Sequence, residues 1–183
     1  MRPIKSLILF FLALITAGCG SNVKQGYTNP AAPIAGVRRI AILPFEGVAE
    51  ADTVGDIVGM VLANRGAYTI VDRTQILSLI NEHRLPADLL DETTIIQKKK
   101  LINADALLSG RVTQFQQGVP SVPIATPTRI TMSLKLVSAE TGNTIWTQVY
   151  ARSSAGRGLL APNVDKLMME MAEEIARDLA NLK

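Results

Sequence analysis

The chain has 183 residues, a formal charge of +3 from 19 Lys and Arg against 16 Asp and Glu, and one cysteine. A single cysteine excludes an internal disulfide framework and a multi-cysteine zinc site. The charge is too small to argue for nucleic-acid binding, and the length suits one domain that buries about 70% of its unfolded surface without staples.

Residues 1–18 read as a cleaved leader. Arg2 and Lys5 precede an uninterrupted apolar run, Leu7 to Ile15, which falls short of the about 20 residues that span a bilayer. Thr16, Ala17 and Gly18 are small, and the sole cysteine, Cys19, follows them. The arrangement resembles a bacterial lipobox, with Thr16 where leucine is usual and Ile15 beside it. It implies a covalent lipid on Cys19, a diacylglycerol thioether plus an N-acyl chain; one chain anchors marginally, whereas two or more anchor stably. Gly20, in place of the aspartate that retains such proteins in the inner membrane, implies the periplasmic face of an outer membrane. An ordinary signal peptide, or a buried apolar start with an inert thiol, is the bland reading of the same residues. Loss of the leader removes Arg2 and Lys5 and no acid, which brings the charge to about +1.

Residues 19–37, rich in Gly, Pro, Asn and Ser, read as a flexible tether with a mean reach of about 20–25 Å. The folded domain is then 38–183. Arg39–Phe45 is a short apolar run closed by Pro44 and predicts a buried strand. Val54, Ile57, Val58, Val61 and Leu62 recur at helical spacing between Asp52 and Asn64, and Gly66 ends the helix. Tyr68–Val71 predicts a second strand. Asp72, with Gln75 three residues on, predicts a capped helix to about Arg84, and a further helix spans roughly Thr93 to Ile102. Ala106–Phe115 predicts a strand, and the proline-rich stretch Gln117–Pro127 a loop. Arg129–Val137 alternates, with Ile130, Met132, Leu134 and Leu136 on one face. After the turn Glu140–Asn143, Thr144–Arg152 returns to complete a hairpin. The last helix, about Asn163 to Leu182, places Val164, Met168, Met171, Ile175, Leu179 and Leu182 on one stripe. The order is β-α-β-α-α-β-β-β-α. This is a single α/β domain of two or three layers, whose mixed sheet is parallel early and antiparallel late.

Sequence motifs for catalysis do not surface: there is no GxSxG elbow, phosphate loop or dinucleotide fingerprint. The single histidine, His83, sits between Glu82 and Arg84 and reads as solvated rather than as a metal ligand. Lys98-Lys99-Lys100 suits a solvated helix face better than a phosphate site. Gly156-Arg157-Gly158 reads as loop. Asp72-Arg73 needs no more than a capping role. Trp146 shares a strand face with Tyr150; core packing is the first reading and contact with a membrane interface the second. Met169 lies off the core stripe and suits a partner-facing position.

Four stretches carry a family resemblance: RIAILPFEG at Arg39–Gly47, YTIVDRTQILSLINEHRL at Tyr68–Leu85, INADALLSGRVTQF at Ile102–Phe115 and LKLVSAETGNTIW at Leu134–Trp146. Together they resemble the CsgG-like family of bacterial outer-membrane lipoproteins, whose domain is like the amino-terminal domain of TolB. The family includes curli secretion channels, Pel-type exopolysaccharide export lipoproteins and activators of penicillin-binding proteins. Channel-forming members carry long extra hairpins, and a spanning strand takes about 9–11 residues. The stretches Gln116–Thr128 and Ser153–Asn163 are too short and too rich in Pro and Gly for that, so the chain resembles the short, barrel-less, Pel-type members. The resemblance implies a non-enzymatic homo-oligomeric ring on the outer membrane that works with export machinery or a secreted polymer. A regulator of a peptidoglycan synthase and a periplasmic hydrolase are the competing readings.

Overall fold

A computed structural model describes residues 22–32, 34–71, 76, 78, 103–119, 126–154 and 163–182. Its strands are β1 (Asn22–Thr28), β2 (Arg39–Ile42), β3 (Glu46–Gly47), β4 (Thr69–Val71), β5 (Ala106–Gln116), β6 (Thr128–Ser138) and β7 (Thr144–Ser154). The helices are α1 (Ala51–Arg65) and α2 (Val164–Ala180). All strands belong to one sheet in the order β1-β7-β6-β5-β2-β4, with β3 paired to β5. β4, β2 and β5 run parallel, while β5, β6, β7 and β1 are antiparallel. The mixed α/β domain read from the sequence is therefore the observed one.

The parallel part follows from connection handedness. β2 leads through α1 to β4, so the right-handed rule puts α1 on one face. The chain then returns past β2 to β5, which puts that link on the opposite face. Ile76, from this link, is fully buried there with Ala41, Leu43, Val71, Leu107 and Val137. Ile76 and Ser78 are helical, as the sequence predicts; the rest of the helices expected at 72–84 and 93–102 lies outside the described residues. At the start of β2, the Asp105 carboxylate accepts from the Arg38 and Arg39 amides, both at 2.9 Å, and holds β2 in register with β5.

Both described helices cover the other face. Val54, Val58, Val61 and Leu62 of α1 and Met168, Met171, Ile175 and Leu179 of α2 pack over Ile40, Ile42, Leu108, Leu134, Leu136 and Tyr150. These are the stripes that the periodicity predicts; each large side chain so buried contributes about 1.5–3 kcal/mol. Gly66 ends α1 in left-handed backbone at φ 66°, and the Asn163 side chain caps α2 by accepting from the Asp165 and Lys166 amides.

Residues 22–37 depart from the expected flexible tether. Asn22–Thr28 forms β1 and pairs with β7 along its whole length, from Asn22 opposite Arg152 to Thr28 opposite Trp146. Ala32, Ile34 and Val37 then enter the main core. The physical reason is that β7 would otherwise be a sheet edge eleven residues long, a row of unpaired backbone groups that β1 satisfies.

Candidate functional site

The described residue nearest Cys19 in the chain begins β1, which pairs with β7 and meets α2. Cys19 lies outside the described residues, and Gly20 and Ser21 alone separate it from Asn22. Three steps of extended chain reach about 11 Å at most. Whatever holds Cys19 therefore holds β1 close beside it.

An ionic group ties β1 to the body. Lys24 is opposite Tyr150 in the β1–β7 register, and Arg152 lies two residues further along the same face. Glu174 and Asp178, one turn apart on α2, meet them. Lys24 Nζ donates to Asp178 Oδ1 at 2.5 Å and lies 3.8 Å from Glu174 Oε1. Arg152 pairs with Glu174, and the Tyr150 hydroxyl donates to Asp178 Oδ2 at 2.5 Å. Burial above all, then the hydrogen bond and charge of Asp178, raise the Tyr150 phenol far above its ordinary range, against a smaller opposing effect of Arg152. Tyr68 is raised by burial as well, and its hydroxyl donates to the Leu179 carbonyl at 2.7 Å. Both phenols thus keep their protons at neutral pH and serve as fixed donors that hold α2 against the sheet. Sequence reading missed this group; the signal available was the i, i+4 acid pair on the rim of the α2 apolar stripe.

Trp146 bears out core packing, the first reading, and overturns the membrane-interface alternative. It is 2% exposed, lies opposite Leu136, and its ring centroid is 6.5 Å from that of Tyr150. The β7 register turns Trp146, Gln148 and Tyr150 inward beneath α2, so the indole is core. The shared face with Tyr150 is as expected, while Val149 points outward.

An apolar groove of about 320 Å³ lies between α1 and the β4 edge, lined by Ile42, Gly55, Gly59, Met60, Ala63 and Ile70, with Asp56 at its rim. Met169 is exposed on α2. Among the described residues no cluster of His, Cys, Asp or Glu could hold a metal, and no helix is long and apolar enough to cross a membrane. His83, Lys98-Lys99-Lys100, Asp72-Arg73 and Gly156-Arg157-Gly158 lie outside the described residues.

The family model described as curli production assembly/transport component CsgG matches residues 39–122. No curated protein sequence matches. Among solved structures, the chain is similar to the PelC dodecamer from Paraburkholderia phytofirmans, with a TM-score of 0.59 at 14% identity, covering 88% of this chain and 97% of that one. It is also similar to lipoprotein GNA1162 from Neisseria meningitidis, with a TM-score of 0.58 at 12% identity over 79% and 99% of the two chains. Hypothetical protein CT253 from Chlamydia trachomatis gives 0.55 at 11% identity over 80% and 97%.

Proposed function

We propose that this chain, which matches the CsgG family model over residues 39–122 and is similar in fold to the PelC dodecamer, is a non-enzymatic lipoprotein of the bacterial envelope. Cys19 carries its lipid and holds it at the periplasmic face of the outer membrane. There it assembles with copies of itself into a ring that serves an export system, for an exopolysaccharide or a curli-like polymer, without a barrel of its own.

The observation that carries this reading is the fold, seen at nearly full length in a solved neighbour that is itself a dodecamer. The hairpin β6–β7 supports the barrel-less part. Its strands have the length for a barrel, yet Leu134, Leu136 and Tyr150 lie in the core beneath α2, so the hairpin is committed to the domain. A closed ring requires a heterologous interface that joins two different surfaces of neighbouring copies. The sheet offers two unlike ends for one, the long β1 edge and the short β4 edge.

Native mass measurement on the full lipidated chain, extracted in detergent, tests the assembly. A closed oligomer of many copies is expected. A chain that stays monomeric at every concentration would remove the ring.

A further inference from the structure

The sheet face turned away from α1 and α2 carries, at its β1 end, an exposed patch of three apolar side chains grouped around Gln25. Val23 is 56% exposed, Tyr27 55% and Val149 40%. The register makes them neighbours: Val149 is opposite Gln25, and Val23 and Tyr27 flank Gln25 on the same face. Such diagonal pairs lie about 7–8 Å apart, within reach of an aromatic ring. One strand over, on β6, the same face carries Ser133 opposite Val149, Lys135 opposite Thr147 and Arg129 opposite Ser153. Arg129 and Lys135 thus bracket the patch, and neither belongs to an ion pair among the described residues. Arg111, the cation on β5, is already paired with Glu46.

We infer that this face, Val23, Tyr27 and Val149 between Arg129 and Lys135, lies on the lipid surface beside the anchor. The inference rests on lipidation of Cys19 as proposed above. Two observations choose a bilayer over other occupants. The first is reach: only Gly20 and Ser21 lie between Cys19 and β1, so at most about 11 Å of extended chain separates Cys19 from the first residue of the strand. The second is chemistry. Aliphatic side chains and a tyrosine with a polar tip suit the boundary between acyl chains and headgroups, and two unpaired cations suit anionic lipid phosphates. The acyl chains hold the protein, while the patch fixes its orientation with the β1 end of this face toward the bilayer and α1 and α2 away from it.

The test uses the full lipidated chain in vesicles of phosphatidylethanolamine and phosphatidylglycerol whose acyl chains carry bromine. Tyr27→Trp places a reporter in the patch, and Met60→Trp, at an exposed position on α1, places one on the opposite side; the wild-type signal of buried Trp146 is subtracted from both. The expected result is that brominated lipid quenches the Tyr27→Trp emission about two-fold or more and leaves Met60→Trp unchanged. Adding Arg129→Ser and Lys135→Ser, or replacing phosphatidylglycerol by phosphatidylcholine, is expected to reduce that quenching. Equal response of the two reporters in protein that floats with the vesicles overturns the orientation while leaving the anchor intact. An unquenched, blue-shifted Tyr27→Trp signal shows the patch covered by a second copy and overturns it too. Protein that fails to float overturns the anchor and this inference with it.

Discussion

Gly110 shows how a single missing side chain positions a core. A Cβ there would sit 2.6 Å from the Phe45 ring, which also packs against Gly55 of α1. The ring fills the space between helix and sheet that the two glycines leave. Gly110→Ala forces the ring to move and is expected to cost about 1–3 kcal/mol, read as a lower urea midpoint; an unchanged midpoint would show that the ring has room. Tyr150 governs behaviour in alkali. Its folded-state pKa is raised above the ordinary 10.0, so the protonated phenol stabilises the fold fully below that value, and the contribution drains away as pH rises above it. Unfolding midpoints of the wild type should fall above about pH 10, and those of Tyr150→Phe should fall less steeply. Parallel curves would remove Tyr150 as a cause. Tyr68, raised in the same direction, leaves a residual slope in the variant.

At the level of elements, β1 is a long edge strand that buries little of its own surface. Its residues from Val23 to Thr28 are all exposed, so the backbone ladder to β7 and the ionic group on α2 carry it. Lys24 keeps 44% of its side chain in water, so its pairs are worth about 0.2–1 kcal/mol after solvent screening. Lys24→Ala should therefore barely move global unfolding, yet speed hydrogen exchange of the β1 amides ahead of those in β5 and β6. Uniform exchange across the sheet would contradict this. The same shallow burial explains what the sequence could and could not disclose. β6 alternates because one of its faces meets α2, and the α2 stripe shows because one side is buried throughout; both were legible. β1 puts Lys24, Gly26 and Thr28 on the helix-side face and Val23 and Tyr27 outward, the reverse of the usual pattern. The reversal works because Lys24 finds acids on α2, and because Gly26 leaves room for the inward-facing Gln148, whose Oε1 a Cβ there would meet at 2.0 Å. Such a strand cannot be recognised by hydrophobic alternation. Trp146 was legible as a partner of Tyr150, but its depth depended on β1 and α2 closing over β7, which no local window contains.

For the whole molecule, the decisive length is the link between Cys19, the proposed lipid site, and the fold. Read as a tether, residues 19–37 would let the domain range about 20–25 Å from the membrane. With β1 formed, the link contracts to Gly20 and Ser21, which suits a collar seated on the bilayer and works against a regulator that must reach inward to a cell-wall synthase. If Cys19 carries the lipid as proposed, Cys19→Ala should release the protein from membrane fractions into the soluble fraction; retention in the membrane fraction would mean that something other than a lipid on Cys19 holds it. The closure of β1 also sets an order of events in time. Lys24 and Asp178, which clasp each other, are 154 residues apart in the chain, and contacts that distant form late because the intervening loop must first be closed. A chain that emerges start-first therefore keeps Asn22–Thr28 unpaired until β7 and α2 have arrived. The strand that follows Cys19 thus stays open during that interval, and completion of the sheet ends it.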